Sequence, residues 1–151
     1  MHDFVHLHNH SDFTFIRGMS HITGIVARAK ELEMKAIALT DDGNLFGVQP
    51  FFETCNKEGI KPVIGCDFYV AKDTHHPMSQ SESYSDPSRV VLLAKNRDGY
   101  KNLLKLSSYA HSEGFNHFPF IDSKSMQRYY NGLILLTGSP AGEPPPTCQH
   151  R

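Results

Sequence analysis

Short apolar runs alternate with amphipathic stretches along this chain. Apolar runs at residues 4–7, 36–39, 90–94 and 133–136 predict strands, and a run over 61–64 that continues through 68–70 predicts another. Between the first two runs, Ile22, Ile25, Val26, Ala29 and Leu32 recur at the spacing of a helix, with Ser20 as the expected cap. Residues 48–58 predict a second helix, stopped by Gly59. Residues 99–112 predict a third, with Leu103, Leu104 and Leu106 supplying its apolar face. Strand–helix alternation with apolar strands predicts an α/β fold built on a mainly parallel sheet covered by helices.

Two segments depart from this pattern. Residues 72–88 are polar and serine-rich and carry His75, His76, Pro77 and Pro87, the composition of a long exposed loop. Residues 143–151 read Glu-Pro-Pro-Pro-Thr-Cys-Gln-His-Arg, with neither helical nor strand periodicity. They fit a proline-rich tail, or a chain cut or frame-shifted in mid-domain. The expected organisation is one domain piece over 1–143 and an off-pattern tail over 144–151.

Composition narrows the function classes. The 151 residues suffice for one domain with a real core, and no internal repeat is visible. Fifteen Lys plus Arg against sixteen Asp plus Glu supply no basic stripe for gripping nucleic acid. Three cysteines without a CxxC spacing point to a reducing cytoplasm. No signal peptide and no membrane-spanning apolar run is visible, so a cytoplasmic protein without membrane contact is expected.

Candidate chemistry gathers at the ends of the predicted strands, where α/β architectures place their functional residues. His6, His8 and His10 alternate, so in a strand they point one way, as a metal site or as a solvated polar strand end. Thr40-Asp41-Asp42-Gly43-Asn44 follows the second strand, and Gly65-Cys66-Asp67 follows the 61–64 run. Imidazoles and carboxylates at neighbouring strand ends are the donors of a divalent-metal hydrolase. Asn44 is better read as turn chemistry; Asp42 fits turn or ligand equally, and the role of Asp67 stays open.

Several separated blocks resemble the PHP (polymerase and histidinol phosphatase) domain that opens bacterial DNA polymerase III alpha subunits. They are His6-Leu-His-Asn-His-Ser11, Ala27–Leu32, Ala38–Gly47, Gly59–Ala71, Val91–Asn96, Gly99–Leu106 and Gly132–Gly138, in the family's order. The resemblance covers residues 4–143. It implies part of a distorted (β/α)7 barrel, incomplete at the C-terminus. Five predicted strands fall short of seven, so an open sheet edge is expected.

Working members of the family hold a cluster of divalent metals that supports phosphoester hydrolysis, including 3′ to 5′ exonuclease action. Carried over by position, His8 and His10 match its His-x-His, while its next acid is Arg17 here. Its histidine after Thr-Asp is Asp42, its glutamate after Gly-Cys is Asp67, and its histidine before Val-Leu-Leu-Ala is Arg89. Its Thr-Gly-Cys cysteine is Ser139, and its final Asp-x-His pair is expected beyond Arg151. The resemblance therefore implies a degenerate site: one weakly bound divalent metal (Zn, Mn or Mg) on His8, His10, Asp42 and Asp67, with Arg17 and Arg89 opposing cations. His6 is expected beside the site or at the core edge, and His75, His76, His111, His117 and His150 at the surface.

The implied role is a scaffold within a replicative alpha subunit. That parent synthesises DNA from dNTPs with Mg²⁺ on carboxylates outside these residues, so no catalytic residue is expected here. Its implied partners are the rest of the subunit, DNA, a sliding clamp and a separate proofreading exonuclease subunit. The alternatives are a stand-alone PHP phosphoesterase or exonuclease, an inert fragment, or a piece of an error-prone alpha-like polymerase, which the Phe13–Gly18 segment also resembles.

Overall fold

A computed structural model describes residues 4–15, 17–71, 88–116 and 118–136. In chain order these form α1 (Ile22–Glu31), β1 (Ala36–Leu39), α2 (Val48–Glu58), β2 (Lys61–Val70), β3 (Arg89–Ala94), α3 (Arg97–Ser112), β4 (Phe115–Asn116), β5 (Phe118–Ile121), α4 (Ser123–Tyr129) and β6 (Leu133–Leu136). The result is a mixed α/β fold. Most of the segment 72–88, His117, Ser139 and the tail lie outside the described residues.

The sheet is mixed, not mainly parallel. β1 and β5 pair with β2 in parallel, whereas β3 pairs antiparallel with both β2 and β6, and β4 with β5. Parallel neighbours need a crossover helix, and α2 supplies one between β1 and β2. No described helix separates β2 from β3, and these two strands run antiparallel.

β2 is one continuous strand, so Gly65, Cys66 and Asp67 lie within it and not beyond its end. Alternation then sorts its side chains. Cys66 and Phe68 pack with Val90, Leu92, Leu103, Leu106 and Ile121 against α3. Asp67, Tyr69, Arg89, Val91 and Leu93 fall to the opposite face, where Ala38 joins Val91 and Leu93. A second apolar cluster unites Val26 of α1, Leu39 of β1, and Phe51 and Cys55 of α2. Burying Phe51 completely contributes on the order of 2–3 kcal/mol.

Helix ends follow local chemistry. α2 stops at Gly59, whose φ of 73° is cheap only for glycine. α3 begins two residues before the expected Gly99, because the Asn96 side chain accepts from the Gly99 amide. Leu104 faces outward, and the buried stripe of α3 is Leu103, Leu106 and Ala110. Ser20 is not the cap of α1: His21 holds that position without a capping bond, and the Ser20 carbonyl accepts from the Asp12 amide.

The segment 4–7 forms no regular strand. It lies beside β1, with Ala38 N–H donating to the His6 carbonyl and Thr40 N–H to the Asn9 carbonyl. A regular parallel ladder would advance two residues between those acceptors, and here it advances three, as in a bulge. The Asn9 amide fills the gap by donating to the Ala38 and His6 carbonyls.

Candidate metal centre

The bulge decides which histidines meet. His8 and His10, at and beyond it, bring their Nε2 atoms within 3.1 Å. His6 is on the other side of the bulge, exposed, with its ring edge-on to Phe4. The three imidazoles therefore do not converge: His8 and His10 meet, while His6 lines a cavity at the edge of the core with Ile25, Ala29 and Ile37. Near the extra residue, side-chain alternation no longer predicts a shared face.

The line of β1 continues past Leu39 to an isolated parallel bridge between Asp42 and Asp67. Gly43 N–H donates to the Asp67 carbonyl and Asp67 N–H to the Asp41 carbonyl. This bridge sets the Asp42 carboxylate beside that of Asp67. His8 Nε2 is 3.0 Å and His10 Nε2 3.5 Å from Asp67 Oδ2. His10 Nε2 is also 3.3 Å from Asp42 Oδ1. All of His8, His10, Asp42 and Asp67 thus come together.

Cations from the chain share the same oxygens. Arg89 Nη2 is 2.8 Å from Asp67 Oδ2 and also pairs with Asp42 Oδ1. Its guanidinium carbon lies 4.8 Å from the centre of the Tyr69 ring, and the Tyr69 hydroxyl donates to Asp42 Oδ2 at 3.4 Å. Arg17 Nη1 approaches Asp42 Oδ2 at 4.0 Å. Burial alone would raise the Asp67 carboxyl, but hydrogen bonds from His10 and His8 and the Arg89 charge outweigh it and hold it well below the carboxylate range. Burial would also lower Arg89, and the charges of Asp67 and Asp42 raise it instead.

The neighbouring polar residues are structural. Asp41 is buried and accepts from the Ser11 amide and hydroxyl and the Thr14 hydroxyl. The Asn44 side chain accepts from the Phe46 amide and donates to the Phe13 and Asp42 carbonyls, which is turn chemistry as expected. Burial pushes the Cys66 thiol up, and its side chain lies on the apolar face of β2, opposite Asp67. Residue patterning alone does not single out Tyr69, although its place two positions after Asp67 puts both on one strand face.

Among the described residues, His8, His10 and Asp67 form a group able to hold a metal, with donor atoms within 4.8 Å of one another. A tetrahedral zinc ion at ~2.0 Å from each donor separates them by about 3.3 Å, close to the spacing of this triad. Asp67 Oδ1 is buried without a hydrogen-bond partner. The donors therefore fit one ion. They do not fit a cluster, because Arg89 occupies the space between Asp42 and Asp67.

The chain is similar to known proteins in sequence and in fold. DNA polymerase III subunit alpha of Borreliella burgdorferi is 43% identical over 139 residues, 92% of this chain and 12% of the relative. That of Treponema pallidum is 41% identical over 142 residues, 94% of this chain and 12% of the relative. The chain thus spans about an eighth of the length of these relatives. An amidohydrolase from Chromobacterium violaceum shares the fold, with a TM-score of 0.52 and 20% identity, over 70% of this chain and 32% of that one. The PHP domain family model matches residues 6–149, which takes in every element from α1 to β6, and the chain belongs to that family.

Proposed function

We propose that this chain serves as the PHP portion of a bacterial replicative DNA polymerase III alpha subunit, and that its role there is scaffolding and not hydrolysis. The carrying observation is the Arg89 guanidinium on the carboxylates of Asp42 and Asp67, which closes the site to a metal cluster. Identities of 39–43% with alpha subunits over nearly the whole chain support the parentage. The domain piece would run over 1–143, within an incomplete barrel that the rest of the subunit closes.

A single weakly held divalent ion (Zn, Mn or Mg) would sit on His8, His10 and Asp67, with Asp42 engaged by Arg89. Such an ion supplies Lewis acidity and a lowered pKa for bound water. In this chain the nearby guanidinium repels it, and no second ion is held to clamp a phosphoryl group. DNA synthesis from dNTPs, its Mg²⁺, the sliding clamp and a separate proofreading exonuclease belong to the parent, in the cytoplasm.

Two measurements test this. Sequencing the coding DNA past codon 151 should reveal the remaining polymerase segments, in this or another frame; a genuine stop with nothing after it would remove the parentage. Incubating the intact chain with Mn²⁺ and either bis-p-nitrophenyl phosphate or 3′-labelled DNA should give no hydrolysis above background. Turnover that disappears in Asp67→Asn would instead establish a phosphoesterase.

A further inference from the structure

We propose that Arg89 is the resident cation of this centre, and that the Arg89–Asp42 pair does in the protein's own substance the structural work that a bound metal does elsewhere. The inference rests on the reading that the PHP centre lacks a metal cluster. It goes further by assigning the cohesion of the site to one residue pair.

Asp42 and Asp67 stand side by side across a parallel bridge, with side chains 11% and 2% exposed. Two carboxylates so close, and so poorly hydrated, need donors or a cation between them. Arg89, with a side chain 6% exposed, supplies that cation to both. A planar guanidinium fork is suited to this position, since it reaches two oxygens on different strands while its face lies on the Tyr69 ring. The ammonium of lysine has neither property. Asp42 and Arg89 carry opposite charges and are in direct contact.

The pair and a metal ion therefore compete for the same oxygens. Asp67 Oδ2 receives Arg89 from one strand and His8 from the bulged segment. An ion on His8, His10 and Asp67 would share Asp67 Oδ2 with the Arg89 guanidinium.

The test is thermal unfolding of the intact chain in EDTA and in saturating MnCl₂, together with Mn²⁺ binding. The wild-type midpoint should rise less in Mn²⁺ than that of Arg89→Ala, because its one ion is weakly held. Arg89→Ala should melt earlier in EDTA, recover in Mn²⁺, and bind Mn²⁺ about tenfold more tightly or better, because a neighbouring like charge has been removed. If Arg89→Ala does not fold in EDTA, refolding from urea in Mn²⁺ should restore it. As a separate check, Asp42→Asn/Arg89→Gln should be more stable than the sum of its single substitutions. An Arg89→Ala chain indifferent to Mn²⁺, or strictly additive substitutions, would overturn the proposal. Two or three ions on the wild-type chain would instead remove the underlying reading, so the two failures are distinguishable.

Discussion

Asp41 Oδ1 accepts a 2.6 Å hydrogen bond from the Ser11 amide, which ties the segment carrying His8 and His10 to the end of β1. The same carboxylate takes the hydroxyls of Ser11 at 2.8 Å and Thr14 at 2.7 Å. Adjacent Asp42 faces the arginines instead, so two successive aspartates divide into anchor and site. Asp41→Ala should strand buried donors at a cost of about 2–4 kcal/mol, read from urea unfolding. A loss within about 0.5 kcal/mol, the range of an ordinary surface substitution, would contradict the anchoring role.

Gly43 and Gly59 make a controlled pair. Both have positive φ, 62° and 73°, so alanine at either carries backbone strain on the order of 1 kcal/mol. At Gly43 a Cβ would also come within 2.5 Å of the Pro119 ring, whereas at Gly59 nothing lies within 4 Å. Gly43→Ala should therefore destabilise more than Gly59→Ala in parallel denaturant titrations. Equal losses would show that the loop before α2 shifts freely away from β5.

Cys55 sets a limit at alkaline pH. Burial between α1 and α2 pushes its thiol up to about 11. An unfolded thiol titrates near 8.5, so the stability that Cys55 contributes is complete below that pH and is lost as pH rises toward the folded value. The unfolding free energy should decline above about pH 9, and less so in Cys55→Ala, measured against its own neutral-pH value. Native-state alkylation at neutral pH, mapped by mass spectrometry, should leave Cys55 and Cys66 unmodified, since both are buried.

Much of this fold is legible in the sequence, and the gaps have physical causes. The stop of α2 at Gly59 follows from a residue that alone tolerates positive φ cheaply, β3 from an uninterrupted apolar run, and β2 from two runs that the strand joins across Gly65, Cys66 and Asp67. The region after α3 carries no such signal. β4 and β5 together span Phe115–Ile121 around His117 and Pro119, too short and mixed for a period to emerge. α4 has seven residues, and its real signal is the Asp122–Ser125 capping box, not an apolar stripe. Strand direction differs from the expected parallel sheet because the β2–β3 connection has the composition of a loop and no helical pattern, whereas a parallel neighbour needs a crossover helix.

At the site, residue types and the family resemblance together bring out His8, His10, Asp42 and Asp67, and the structure assembles all four. The expectation that Arg17 and Arg89 place positive charge among them matches the observed pairs. His6 is not separable from the other two by pattern, because its departure depends on a one-residue bulge. The Tyr69 face under Arg89 is hidden for a different reason: a stacking partner has no spacing of its own, only a strand register.

Metal content of the intact chain, purified without chelator and measured by elemental analysis, bears most directly on a PHP centre that holds its own cation. The geometry predicts at most about one equivalent of divalent metal, lost readily on dialysis. Two or three ions per chain that survive dialysis would mean that Arg89 yields its place to a cluster, and the scaffold reading would fall.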